Sequence, residues 1–171
     1  MTVAPTLYTE RLTLRPHRAE DFAVMTPLFG SDWSRYMGPP TSEVELWRWV
    51  GAEIASWPLL GFGSWGIELT ATGDFVGQVG INQPPDYAEV ELGWCVWPDF
   101  EGKGIAFEAA QAARHWGFAQ RGLDTLVSYI DPRNARSIAL AERLGAVRDA
   151  TAKRPDPDDL VYRHSPSEGR I

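Results

Sequence analysis

A mixed α+β fold, a mostly antiparallel sheet with one parallel crossover, is what the sequence predicts, on three observations. Ser64–Leu69 and Phe75–Ile81 are strand-like runs, and Thr72-Gly73-Asp74 between them has hairpin-turn composition. A later strand-like run ends at Trp97-Pro98 and passes through a turn holding Gly102 and Gly104 into an alanine-rich helical stretch reaching about Gln120. Strand character returns at Thr125–Ile130, so the intervening helix can bring that strand back parallel to its predecessor.

The other elements follow in chain order. Arg11–Arg15 alternates polar and apolar residues, a first strand with one buried face. Arg18–Phe29 reads as a helix, and Gly30, Gly38, Pro39 and Pro40 mark the loop after it. Ser42 with Glu45 three residues on is a capping-box pattern, opening a second helix to about Trp57. Beyond Pro84-Pro85 the strand that leads to the glycine turn covers Glu89–Trp97. A last helix runs from about Ala135 to Leu144, with Gly145 placed to end it. Ala146–Ala150 and Leu160–His164 read as late strands, and 165–171 as a loose end. The whole chain, 1–171, suits a single domain.

Composition narrows the function classes. Apolar content of 44% and charged content of 23% are ordinary for a globule. No apolar run approaches the ~20 residues that span a bilayer, and the start lacks a signal pattern, so a cytoplasmic location is expected. A net charge of −7 argues against a broad nucleic-acid-binding face and tolerates a cationic substrate. His17, His115 and His164 show no ligand spacing with one another or with Cys95, so no metal site is expected. Cys95 is the only cysteine and, inside a strand pattern, reads as a small buried hydrophobe.

The glycine turn carries the chemistry. Gly102 and Gly104 put no Cβ between backbone and ligand, and the helix after them presents unpaired N–H groups, a site for phosphate. It is not a P-loop, because Lys103 precedes Gly104 rather than Ser or Thr. A dinucleotide fingerprint also fails. Phe107 replaces the third glycine, Asp124 precedes the next strand instead of ending it, and the preceding sheet is made of hairpins.

Three segments carry a resemblance. Thr9-Glu10-Arg11-Leu12-Thr13-Leu14-Arg15-Pro16 with Glu20-Asp21 is the first. Glu91-Leu92-Gly93-Trp94 through Gly102-Lys103-Gly104-Ile105-Ala106-Phe107-Glu108-Ala109 is the second, and Asn134-Ala135-Arg136-Ser137 through Glu142-Arg143-Leu144-Gly145-Ala146 the third. In order and spacing they resemble the Gcn5-related N-acetyltransferases (GNAT), and within them the RimJ/RimL-like branch that acetylates ribosomal-protein N-termini. The resemblance implies a twisted sheet, mostly antiparallel, whose one parallel pair splays at the cofactor site, flanked by four helices. It implies acetyl-CoA as co-substrate, no metal, a primary amine as acceptor, and a monomer or homodimer. Amides of Gly102, Lys103, Gly104, Ile105 and Ala106 would then hold the pyrophosphate, at roughly 1.5–3 kcal/mol for each hydrogen bond to a charged group. Lys103, Arg133 and Arg136 would add local positive charge.

Direct attack of the amine on the thioester is the implied mechanism, with alignment as its main device. A main-chain N–H from Trp94, Cys95 or Val96 would polarise the thioester carbonyl. Asn134, a helix N-cap by position, would also contact the pantetheine arm or a bound water. Many relatives place a tyrosine acid where this chain has Ala141; Ser137, one turn earlier, is the substitute, while Tyr129 sits in a strand and packs. Glu91 matches a family carboxylate and is the candidate base. Glu89 shares its face, and the competing reading has Glu89 in solvent and Glu91 paired with an arginine. Trp33 and Tyr36 are the candidate acceptor contacts. A modest base favours an amine of low pKa, such as a protein N-terminus; a small-molecule amine, or CoA binding without chemistry, are the alternatives.

Overall fold

The computed structural model describes residues 3–166, so most of the expected loose end lies outside the described residues. Eight strands form one sheet: β1 (Leu7–Tyr8), β2 (Leu12–Arg15), β3 (Ser64–Leu69), β4 (Phe75–Asn82), β5 (Glu91–Val96), β6 (Leu126–Ile130), β7 (Val147–Arg148) and β8 (Leu160–His164). Four helices accompany them: α1 (Asp21–Phe29), α2 (Glu43–Leu60), α3 (Ile105–Ala119) and α4 (Ala135–Arg143). The strand order is β1-β2-β3-β4-β5-β6-β8-β7, antiparallel throughout except for β5–β6. The expected α+β architecture with one parallel pair is therefore what forms.

Side-chain alternation assigns the two faces. Val79, Ile81 and Leu92 point to the face that α3 covers through Ile105, Ala109, Ala113 and Trp116. Ile138 and Ala141 of α4 pack with Ile130 and Tyr162, and Trp94 touches both clusters. On the opposite face, Met25 and Phe29 of α1 join Leu46 and Val50 of α2 around Trp97. A buried ion pair ties α1 to the sheet: Arg15 of β2 donates to both Asp21 oxygens, at 2.9 and 2.8 Å, and to Glu68 of β3 at 2.8 Å.

Several boundaries differ from the sequence reading. The pattern missed β1, which has only two residues at the sheet edge. Helix α1 starts at Asp21 rather than Arg18, whose carbonyl and amide serve the turn into it. Helix α2 continues past Trp57 to Leu60 despite Pro58, because a proline there removes a single i→i−4 bond. It stops at Gly61, whose N–H still donates to the Trp57 carbonyl while its left-handed φ of 76° turns the chain out of the helix. Strand β5 starts at Glu91, not Glu89, and β7 is shorter than the expected Ala146–Ala150.

Candidate active site

Strand β5 meets β6 at one registered pair only, Glu91↔Val127, with Val127 N–H donating to the Val90 carbonyl at 3.0 Å. Beyond it the two strands diverge. On the β4 side the ladder is complete, and Trp97 N–H donates to Val76 at 2.8 Å. By antiparallel alternation, residues 91, 93 and 95 then turn their amides to β4, while 92, 94 and 96 turn theirs toward β6. Of the three expected amides, that of Trp94 faces the gap. The Cys95 amide turns to its ladder partner Gln78, and Val96 is buried outside the cavity lining.

The gap opens into a cavity of about 960 Å³. Its floor is the α2 face of the central strands. Gln78, Gly80 and Asn82 of β4 stand opposite Cys95, Gly93 and Glu91 of β5, and Glu53 of α2 reaches over them. Gly93 leaves its part of this face open, while the space over Gly80, opposite it, is taken by Ser64 Oγ and Asn82 Nδ2. Glu53 accepts from Ser64 Oγ and Gln78 Nε2, both at 2.6 Å, and from Asn82 Nδ2 at 3.1 Å.

Burial, and secondly the charge of Glu53, pushes the Glu91 carboxyl up to about 8, with the Tyr129 main-chain amide opposing. Burial raises Glu53 to about 7 against its Ser64 and Gln78 donors. A carboxylate that is neutral in part at physiological pH can take a proton from an amine of similar pKa. The competing reading of the two strand carboxylates is reversed. Glu89 is the paired one, bound by Arg163 at 2.7 and 2.9 Å, and this holds it below the usual range; Glu91 has no arginine partner among the described residues. Cys95 is inert as well, its thiol pushed up to about 12 by burial and Glu53.

On the far wall, Asn134 caps α4 by accepting from Ser137 N–H at 3.2 Å, and Ser137 Oγ accepts from Trp94 Nε1 at 3.3 Å. Both residues line the cavity, while Ala141 is fully buried in the core behind them. Tyr129 and Tyr87 stack edge to face at 5.1 Å in the lining, and the buried Tyr129 hydroxyl has no partner among the described residues. Tyr129 was expected only to pack. Tyr36 also lines the cavity, but Trp33 does not. The Trp33 ring packs against Phe29 and Trp97 at 5.4 and 5.6 Å, and its indole donates to Glu101.

Gly102, Lys103, Gly104, Ile105 and Ala106 form a separate station at the amino end of α3, reached from β5 through Pro98–Phe100. Gly102 and Gly104 both take positive φ, 73° and 76°, so each needs to be glycine. Gly104 supplies no capping side chain, and among the described residues the amides of 102 to 107 have no hydrogen-bond partner. A Cβ at Gly102 would meet nothing within 4 Å, so the turn is open. Six free amides at a helix amino end suit a diphosphate without a metal. The added positive charge is less than expected: Arg133 pairs with Asp131 and Arg136 with Glu101, and the Lys103 ammonium donates to the Asp99 carbonyl. No group of metal-ligating residues occurs among the described residues.

Sequence reading missed Glu53, Gln78, Asn82 and Tyr87. Glu53 had a signal. Leu46, Val50 and Trp57 make the apolar stripe of α2, and Glu53 lies on it at helical spacing.

Comparison with known proteins bears on the same architecture. Residues 11–147 match the family described as Acetyltransferase (GNAT) domain. The chain is 31% identical over 153 residues to the N-acetyltransferase p20 of Bacillus licheniformis, covering 84% of this chain and 86% of that one. It is 29% identical to the Bacillus subtilis protein YkkB over 95% of this chain and 96% of the other. A crystal structure of an acetyltransferase from Agrobacterium tumefaciens superposes with a TM-score of 0.92, at 44% identity and 95% coverage of both chains. With the splayed strand pair, the open glycine turn and a family match spanning both, the chain belongs to the GNAT acetyltransferases, acyltransferases that use acetyl-CoA as donor.

Proposed function

We propose that this protein transfers an acetyl group from acetyl-CoA directly to a primary amine seated in the cavity between α2 and the β5–β6 gap, with a protein N-terminal α-amine as its acceptor. The observation that carries the reading is the meeting of Glu91 and the gap-facing Trp94 amide in one cavity. The donor supplies an activated acyl carbon and a thiolate leaving group of cysteine-like acidity. Free amides from Gly102 to Ala106 fit its diphosphate. Asn134 and Ser137 face the cavity where the pantetheine arm would run. The Trp94 N–H stabilises charge developing on the acyl oxygen. Glu91 takes the proton that the amine gives up as its nitrogen bonds the acyl carbon and the carbon–sulfur bond breaks. Ser137 Oγ is the hydroxyl available to protonate the departing sulfur; a thiolate of pKa about 8.5 needs little help. Tyr36 contacts the acceptor.

An α-amine has a pKa near 8, matched to Glu91, whereas a lysine amine near 10.4 is mostly charged at neutral pH. Fold neighbours accord with an N-terminal acceptor: a ribosomal L7/L12 α-N-protein acetyltransferase, RimL, solved with CoA, has a TM-score of 0.69 at 20% identity. A second reading has its own support. The cavity is lined by Glu53, Glu91, Asp131, Asp156 and Asp159, a wall suited to a small polycationic amine. A spermidine N-acetyltransferase from Vibrio cholerae, solved with CoA and spermine, has a TM-score of 0.71 at 19% identity.

Thiol release from acetyl-CoA, followed with peptides bearing free or blocked N-termini, with spermidine and with other small amines, tests both. Release with free but not blocked peptides is the expected result. Release with spermidine alone selects the second reading. Calorimetric binding of CoA with no release from any amine overturns both.

A further inference from the structure

If Glu91 accepts the proton, Glu53 has no assigned part, yet side chains from two strands converge on it. Ser64 Oγ and Gln78 Nε2 donate to one carboxylate oxygen and Asn82 Nδ2 to the other. Glycines make room for the arrangement. A Cβ at Gly80 would lie 2.3 Å from Ser64 Oγ and 2.6 Å from Asn82 Nδ2, and one at Gly63 would lie 2.5 Å from the Glu53 carbonyl oxygen. Asn82 is also the residue directly opposite Glu91 in the β4–β5 ladder. Glu53 is 8% exposed, and no salt bridge reaches it among the described residues. A buried carboxylate thus binds the residue that stands opposite a second, and no salt bridge reaches either among the described residues.

We propose that Glu53 is a positioning residue for acetyl transfer: the charge it holds beside Glu91 sets the protonation of Glu91, so that Glu91 and not Glu53 receives the proton of the acceptor amine. The inference rests on the reading of Glu91 as proton acceptor. Two like charges in one wall cannot both ionise freely, and the one with donors ionises first. Glu53 has three side-chain donors; among the described residues Glu91 has no side-chain donor and only the Tyr129 main-chain amide. The other groups around Glu91 do not reverse the order. Asp86 and Tyr87 precede β5, Tyr129 lies on β6, and Asp131, Asp156 and Asp159 are acidic. Arg163 is engaged by Glu89 and Asp149, Arg133 by Asp131, and Arg35 by Asp32.

The test is the titration of Glu91 in full-length protein carrying carboxyl-13C glutamate, its signal assigned by loss in Glu91→Gln. Glu53→Gln keeps the network: its amide oxygen accepts from Ser64 and Gln78, and its NH2 meets Asn82, whose Oδ1 has no partner among the described residues and can turn to accept. In Glu53→Gln the Glu91 midpoint falls by about one pH unit or more as the neighbouring charge disappears. In Glu53→Asp, which keeps the charge, it stays near the wild-type value. The acid limb of kcat/KM, measured with a free-N-terminus peptide and with spermidine, moves with it. An unmoved Glu91 midpoint in Glu53→Gln overturns the inference and leaves Glu53 a packing group. Loss of the acid limb in Glu53→Gln also overturns it, by making Glu53 the base. An acid limb retained in Glu91→Gln overturns instead the reading on which the inference rests, and the inference with it.

Discussion

A carboxylate kept neutral by burial costs the folded state free energy as soon as the pH demands its charge, and Glu91 is such a group. Its folded value, about 8, lies above the ordinary carboxylate range, so the folded chain binds the extra proton between about 4.5 and 8. The sign follows. Below the unfolded pKa Glu91 is neutral in both states and costs nothing, and stability is lost as the pH rises toward 8. Glu91→Gln removes that cost. Thermal unfolding at pH 8 is expected to show the variant more stable, on the order of 2–4 kcal/mol, with the gain gone near pH 4.5, while acetyl transfer falls at least a hundredfold at all pH values. A variant no more stable at pH 8 than wild type would show that Glu91 ionises freely. Asp21 has the opposite sign. Burial works to raise its carboxyl, but hydrogen bonds from His17, Arg15 and the Arg18 amide hold it well below the usual range, so its contribution is present at neutral pH and fades in strong acid. Asp21→Ala leaves the Arg15 guanidinium buried with Glu68 as its one carboxylate partner among the described residues, and chemical denaturation is expected to read a loss of about 3–5 kcal/mol.

At the scale of elements, the two stations of the site answer to different strands and can be damaged separately. Gly104 ends the turn before α3 at φ 76°, where a side chain costs about 1–2 kcal/mol, and a Cβ there would come within 3.4 Å of the Arg11 guanidinium. Gly104→Ala is expected to raise the KM for acetyl-CoA severalfold and leave the acceptor KM unchanged. Gly145→Ala provides the control, with a comparable φ of 80° just beyond α4 and no effect on either KM. Gly93→Val does the reverse. The atoms nearest a Cβ at 93 are those of the Glu91 carboxylate, at 3.8 Å, so the variant folds while its side chain fills the hollow. Its acceptor KM is expected to rise at least tenfold with acetyl-CoA binding, read by calorimetry, intact. Strong periodicity made β3, β4, α3 and α4 legible from sequence, and so did the glycine turn, because its conformational demand is written in residue type. The carboxylate on α2 was legible in principle, as an acidic residue on an apolar stripe. Whether Trp33 faced a ligand or a core was not, since a loop between helices has no period from which to read a facing direction.

Across the whole molecule, the start of the chain holds the donor station in shape over a distance that no local pattern reveals. Glu108 in the first turn of α3 accepts from Thr9 Oγ1 at 2.6 Å, from the Arg11 amide at 2.9 Å and from Arg11 Nε at 2.7 Å. The same guanidinium donates from Nη1 to the Lys103 carbonyl at 2.9 Å. Thr9-Glu10-Arg11 and the glycine turn are therefore one construction, which explains why the first and second resembling segments occur together. Electrostatics gives the link a direction. Glu108 places a negative charge beside amides suited to a diphosphate, and Arg11 offsets it; burial works to raise Glu108, and Thr9 and Arg11 lower it on balance. Arg11 is half exposed, so the ion pair itself adds little to stability. Its loss should instead appear in binding. Arg11→Ala leaves Glu108 repelling the incoming anion, and the KM for acetyl-CoA is expected to rise about tenfold at low salt, with a smaller increase at high ionic strength, where the repulsion is screened. Adding Glu108→Gln to Arg11→Ala removes the repelling charge and is expected to recover part of the loss. If the double variant binds acetyl-CoA no better than Arg11→Ala alone, the guanidinium acts by shaping the turn through the Lys103 carbonyl and not by neutralising charge.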